Sequence, residues 1–223
     1  MEEITLTTQD DVRLYADYYK SSTLNAPAVL LLHMMPETKE SWREFAKKLR
    51  EVGFQVLAID FRGHGKSVFK NNHLMNYKNF TDTQHQQKIH DIEIAVKFLI
   101  DEKGPSSIFL VGASIGANLA IQYMANHTRI IAGAILSPGL DYRGVKPELF
   151  IKNLDEDQAI YLAASEDDKY SADSAKELYN LAKTAKKLKL LRNAGHGTDM
   201  FNANPDLMDE IIDWLRNIHK HNK

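Results

Sequence analysis

The sequence has no cysteine in its 223 residues. Disulfides, thiolate metal sites and a cysteine nucleophile are therefore excluded. An excess of either charge is also missing: 28 Lys and Arg stand against 30 Asp and Glu, for a net charge of −2. Such a balance leaves no basic footprint for nucleic acid or an anionic membrane. Long hydrophobic runs are absent too. The longest aliphatic run, residues 28–32, is far short of the roughly 20 residues a membrane span needs. The start, Met1-Glu2-Glu3-Ile4-Thr5, has neither a basic region nor an apolar stretch. No secretory signal is expected, and a cytoplasmic location fits. No His-Glu-x-x-His or comparable ligand spacing occurs, so no metal site is expected. Repeats, low-complexity stretches and Pro/Gly/Ser-rich linkers are missing as well, which predicts one domain over residues 1–223.

What is present is an alternation of short apolar runs with longer amphipathic ones. Strands are expected at residues 4–8, 12–19, 28–33, 55–60, 107–112, 131–136, 159–164 and 187–192. In the second, Val12, Leu14, Ala16 and Tyr18 alternate with Arg13, Tyr15, Asp17 and Tyr19, which predicts a hairpin with one wet face. The later runs do not alternate, as expected of parallel strands buried on both faces. Helices fall between them. Ser41-Trp42-Arg43-Glu44 has the spacing of a capping box, and Ile89, Ile92, Val96 and Leu99 form an apolar stripe. Further helices are expected at 115–127, at 171–186 and from Pro205 onward. This order predicts an α/β fold with a mostly parallel sheet covered on both sides. Active sites of such sheets lie beyond the carboxyl ends of the strands, so each reacting residue should follow a strand directly.

Gly112-Ala113-Ser114-Ile115-Gly116 meets that requirement between an apolar strand and a helix. Gly-x-Ser-x-Gly in this context makes a nucleophile elbow, a turn so sharp that its neighbours must be small. Ser114 would be the nucleophile and the Ile115 N–H one oxyanion donor. Of nine histidines, His196 is the expected base: it follows the last strand, and Gly195 and Gly197 flank it. His73, His85 and His90 are expected to be solvated, and His219 and His221 to lie in a frayed terminus. The orienting acid should come from Ser165-Glu166-Asp167-Asp168, which lies between serine and histidine in chain order. Asp168 is the first choice, with Asp167 and Asp141 as alternatives. A second oxyanion donor should come from the loop after residues 28–33. The Met35 N–H is the candidate, since Pro36 has none. Met34 then offers an apolar wall for an acyl group. Residues 60–67, Asp-Phe-Arg-Gly-His-Gly-Lys-Ser, lack a full phosphate-binding pattern and read as a structural loop tied down by Asp60 and Arg62.

Taken together, the chain resembles the α/β-hydrolase superfamily over essentially its whole length. The resemblance is carried, in order, by the Leu31–His33 loop, residues 60–67, the elbow, the acid loop and Gly195-His196-Gly197. It implies an eight-stranded sheet with an antiparallel second strand, and a Ser114–His196–Asp168 triad acting on an ester, thioester or amide carbonyl. One departure is Met34, where the superfamily usually has glycine. Only residues 137–158 separate the sixth and seventh strands, which leaves no room for a cap domain. Leu140 and Tyr142, with Leu149 and Phe150, would form at most a small lid touching substrate. Residues 68–83 offer another pocket wall.

The expectation is a cofactor-free carboxylesterase acting on a small-molecule acyl substrate. An acyltransferase or serine peptidase would use the same triad. A hydrolase fold kept as a ligand receptor or scaffold is the non-enzymatic alternative.

Overall fold

The computed structural model describes residues 1–221. Its strands are β1 (Glu2–Thr7), β2 (Val12–Tyr19), β3 (Ala28–Leu32), β4 (Gln55–Ile59), β5 (Phe69–Lys70), β6 (His73–Leu74), β7 (Ile108–Ala113), β8 (Ile130–Leu136), β9 (Ala159–Ser165) and β10 (Ala185–Leu191). They join in one sheet, in the order β10-β9-β8-β7-β3-β4-β2-β5-β6 with β1 on β2. From β4 to β10 across its centre the sheet is parallel. β2 runs antiparallel to β1, β4 and β5.

Ten strands replace the eight expected. The extra pair, β5 and β6, lies in the stretch read as a pocket wall. Asn71 and Asn72 join it, both at positive φ (46° and 64°), a backbone that asparagine tolerates and that suits a two-residue hairpin.

The helices are α1 (Arg43–Glu51), α2 (Asp82–Gln86), α3 (Ile89–Phe98), α4 (Ile115–Met124), α5 (Lys169–Leu181), α6 (Asp199–Ala203) and α7 (Asp206–His221). Three expectations about their ends are corrected. The helix expected at 171–186 ends at Leu181, and residues 185 and 186 open β10. Ser41 does not cap α1; its hydroxyl donates to the Thr38 carbonyl within a short 3-10 turn. The capping box forms instead at Thr81, whose side chain accepts from the Gln84 N–H while Gln84 reaches back to the Thr81 N–H. The last helix is ordered through His221, and His219 hydrogen-bonds Ser107 at 2.9 Å.

The continuous apolar runs are explained by two cores. Leu30, Leu32, Leu57, Ile59 and Leu110 point to one face, against α3 and α4. Val29, Leu31, Val56, Ala58, Phe109 and Val111 point to the other, against α1 and α7. Because side chains alternate across a strand, both sets must be apolar. The edge strand β10 instead carries Lys187 and Lys189, which pair with Glu210 and discourage further strand pairing.

The wet face predicted for β2 ends half-way along it. Asp17 and Tyr19 are each 4% exposed, because the N-terminal approach to α1 covers them and Lys39 pairs with Asp17 at 3.0 Å. Between β8 and β9 the chain forms only two short 3-10 turns and a Tyr142–Val145 bridge. Buried Asn118 ties this segment to α4: its amide donates to the Gly139 and Val145 carbonyls and its carbonyl accepts from the Gly139 N–H. No helix among the described residues is long and apolar enough to cross a membrane.

Candidate active site

β7 runs into α4 through Ser114, which adopts φ 55° and ψ −119°. A non-glycine residue there is strained, so surrounding bonds must hold it. The Ser114 N–H donates to the Leu136 carbonyl, and its own carbonyl accepts from Ala117 and Asn118. The flanking glycines are dictated by space. A Cβ on Gly112 would lie 2.3 Å from the Gly116 carbonyl oxygen, and one on Gly116 would lie 2.4 Å from that of Leu32. The Ile115 N–H opens α4 and, like the first N–H groups of any helix, has no acceptor within it. The positive end of the helix dipole adds to its pull on an anion.

His196 lies beyond β10 in a loop where Gly195 and Gly197 both have positive φ. Its Nδ1 is 2.5 Å from Asp168 Oδ2. The alternatives separate by what each carboxylate touches. Asp167 accepts from the Ala194 and Gly195 N–H groups and from the Ser165 hydroxyl, so it holds the backbone of the histidine loop. Asp168 caps α5 by accepting from the Ser171 N–H and faces the imidazole. Asp141 is far from this role; it turns its own loop by accepting from Gly144 and pairs with Lys146. The Ser137 hydroxyl, just after β8, accepts from the Gly197 N–H at 2.8 Å.

Tyr142 bridges the two sides of the site. Its ring meets that of His196 edge-on at 6.2 Å. Its hydroxyl is 3.0 Å from Ser171 Oγ. Burial pushes its phenol up to about 12. Among the described residues, Ser114 and His196 do not hydrogen-bond directly. In unliganded sites such bonds are often long and tighten only with substrate.

The loop after β3 divides the roles expected of its two methionines. Met34 is 5% exposed and packs into the core. A Cβ on Gly197 would meet its sulfur at 2.3 Å, so it packs against the histidine loop. Met35 instead lines a cavity. Leu140 is half-buried against the core, whereas Leu149 is exposed.

His33 fixes this loop, with Nδ1 bonded to the Met34 carbonyl and Nε2 accepting from the Phe61 N–H at 3.0 Å. Full burial drives its pKa down to about 3, so it is a neutral strut at neutral pH. Asp60 accepts from the Lys39 and Lys66 N–H groups, and Arg62 pairs with Asp91 and Asp10. The 60–67 segment is thus held as a structural loop. His85 is a correction: it is 2% exposed rather than solvated, because α2 tucks it against Lys88.

Sequence reading missed Ser137, Ser165 and Asn118. The first two directly follow or end strands, and a polar residue among the apolar residues 115–121 of α4 was a readable sign of the third.

A profile of the hydrolase family described as serine aminopeptidase, S33, matches residues 25–154. The chain belongs to that family. It is an α/β hydrolase, although the matched stretch ends before Asp168 and His196. Among curated relatives, epoxide hydrolase B of Mycobacterium tuberculosis is 32% identical over 109 residues, covering 49% of this chain and 28% of the relative. The monoacylglycerol lipase of Mycolicibacterium smegmatis is 26% identical over 140 residues, covering 62% and 47%. The chain thus spans less than half the length of these relatives. The esterase Pf2001 of Pyrococcus furiosus superposes with TM-score 0.76 at 19% identity, covering 97% of this chain and 92% of that one. The DcsB structure superposes with TM-score 0.81 at 15% identity, covering 100% and 99%. At these identities the structures share the fold alone.

Proposed function

We propose that the protein is a cofactor-free serine hydrolase that cleaves carboxylic esters through an acyl-enzyme. The observation that carries this reading is the 2.5 Å contact of His196 Nδ1 with Asp168, at the same strand ends as the strained Ser114 elbow. Asp168 keeps the Nδ1 proton in place, which leaves Nε2 free to take a proton from Ser114. Ser114 attacks the acyl carbon. The N–H groups of Ile115 and Met35 receive the oxyanion, each contributing roughly 3–4 kcal/mol in systems where such donors have been removed. His196 then protonates the leaving alcohol, and water repeats the sequence on the acyl-enzyme.

Ester chemistry is favoured over epoxide opening by the nucleophile itself. A carboxylate attacking an epoxide gives an ester that water can cleave. A serine would give an ether, and the enzyme would stay alkylated. The short segment between β8 and β9 supports a single-domain enzyme with an open cleft and a small-molecule acyl substrate.

The test is a series of p-nitrophenyl esters of rising acyl length, with fluorophosphonate labelling. Wild type should hydrolyse some of the series and be labelled at Ser114, and Ser114→Ala should do neither. An unlabelled wild type inactive on every ester would overturn the reading.

A further inference from the structure

A cavity of about 380 Å³ opens beside Met35. Tyr77, Phe80 and His85 wall it, and Lys78 and Arg143 stand at its rim. Two lining residues neighbour the candidate site along the chain. Met35 carries the proposed second oxyanion N–H, and Arg143 directly follows Tyr142, whose ring meets that of His196 edge-on at 6.2 Å.

Behind the wall lies Lys88, with 0% of its surface exposed. Its Nζ is 2.9 Å from His85 Nδ1 and 3.6 Å from the Met35 sulfur, and it sits 5.8 Å over the Phe61 ring. Among the described residues no carboxylate forms an ion pair with it. Asp91, the acid whose field it feels, is committed to Arg62 through the backbone N–H at 2.9 Å, Nε at 2.8 Å and Nη2 at 2.7 Å. A buried cation without a counterion is costly, so burial lowers Lys88 to about 7 and an arriving anion would favour its protonated form.

The lysine also sets the state of its neighbour. An ammonium donating to His85 Nδ1 leaves the imidazole proton on Nε2. Among the described residues that Nε2 has no partner. The wall therefore presents an unused N–H donor, polarised from behind by a buried cation. At the rim, Asp82 lies 3.9 Å from Arg143, too far for a strong bond, and Lys78 has no ion-pair partner among the described residues. The cavity is cationic, and two aromatic rings flank it.

We propose that this cavity is a subsite for a carboxylate carried by the substrate, received by His85 Nε2–H with Lys88 behind it and Arg143 and Lys78 at the rim. The proposal rests on the ester-hydrolase reading and narrows its substrates to esters that also bear a carboxylate. The incoming anion supplies the counterion that Lys88 lacks. A hydrogen bond to a charged group in such a setting is worth roughly a 10- to 100-fold preference.

The experiment compares kcat/KM within two matched pairs. p-Nitrophenyl hexanoate and p-nitrophenyl hydrogen adipate place the carboxylate on the acyl side. Phenyl acetate and 4-carboxyphenyl acetate place it on the alcohol side. In wild type the anionic member of at least one pair should win tenfold or more, and the ratio should fall below three in both Lys88→Met and Arg143→Gln. Arg143 is exposed, so its variant folds even if the buried substitution does not. A wild-type ratio below ten in both pairs, or a ratio that survives either substitution, overturns the subsite. Calorimetry of adipate with Ser114→Ala protein tests the subsite separately from the chemistry. Saturable binding that weakens at least tenfold in Ser114→Ala/Arg143→Gln supports it even if no ester is cleaved, and absence of binding overturns it.

Discussion

Replacing Asp168 by asparagine is the sharpest test of how the candidate triad is wired. The Asp168 carboxylate serves two partners, with Oδ1 accepting from the Ser171 N–H and Oδ2 facing His196 Nδ1. Asparagine has only one oxygen. If that oxygen stays on the helix cap, the amide NH₂ faces Nδ1, and a donor opposite Nδ1 forces the imidazole proton onto Nε2. His196 then cannot take the Ser114 proton. For a Ser-His-Asp triad this tautomer error lowers kcat by roughly 10⁴-fold, about 5 kcal/mol of transition-state stabilisation at 1.36 kcal/mol per decade. Stability should barely move, because Asn and Asp are near-equal N-caps. A change of about 1 kcal/mol or less shifts Tm by roughly 2–4 °C in a chain of this size. The assay is steady-state turnover of a p-nitrophenyl ester, with a parallel melt by circular dichroism. Asp167→Asn is the control. It keeps one oxygen for the Ala194 N–H and loosens only the loop backbone, so its loss should be about tenfold or less. The wiring is refuted if Asp168→Asn stays within tenfold of wild type, or if Asp167→Asn loses as much.

Three further substitutions probe the scaffold. Ser114→Gly should abolish ester turnover yet raise stability by roughly 0.5–2 kcal/mol in urea titrations, because the strained φ of 55° is released; an unchanged or lower stability would show that the elbow stores no strain. Gly112→Ala should fail to give a native melt, since its Cβ would lie 2.3 Å from the Gly116 carbonyl oxygen and backbone there has nowhere to move; a variant melting within 2–4 °C of wild type, about 1 kcal/mol, contradicts this. Burial lowers Lys88 from its ordinary value to about 7. The unfolded lysine holds its proton up to about 10.5, so between these values the unfolded state binds more protons. Stability from this group therefore rises with pH across that window. Lys88→Met should flatten that rise and be the more stable protein near pH 7, read by urea melts from pH 7 to 10.

Much of the site was legible because its signals are local. An apolar strand, a Gly-x-Ser-x-Gly turn and a helix specify an elbow from short-range sterics alone. Histidine between two glycines after the last strand is equally local. The expected strand ends lie within two residues of the observed ones for all eight. The Phe69–Leu74 hairpin was missed because its strands are two residues long, too short to show periodicity, although its Asn-Asn turn was in plain view.

The sequence by itself determined the topology and the chemistry available: runs of apolar residues too continuous for a wet face, a serine where no cysteine exists, and a histidine and acids in the right chain order. Tertiary structure alone decided which of two adjacent acids faces the imidazole, because one residue of loop register turns Asp167 to the Ala194 and Gly195 N–H groups and Asp168 to the ring. It alone decided that Met34 packs against the histidine loop and Met35 lines a cavity, since consecutive side chains leave a turn in different directions. And it alone buried Lys88 against His85. Local sequence expects both in water, but long-range packing of α2 and α3 beneath the loop after β3 removes the water and leaves a lysine without an ion-pair partner among the described residues.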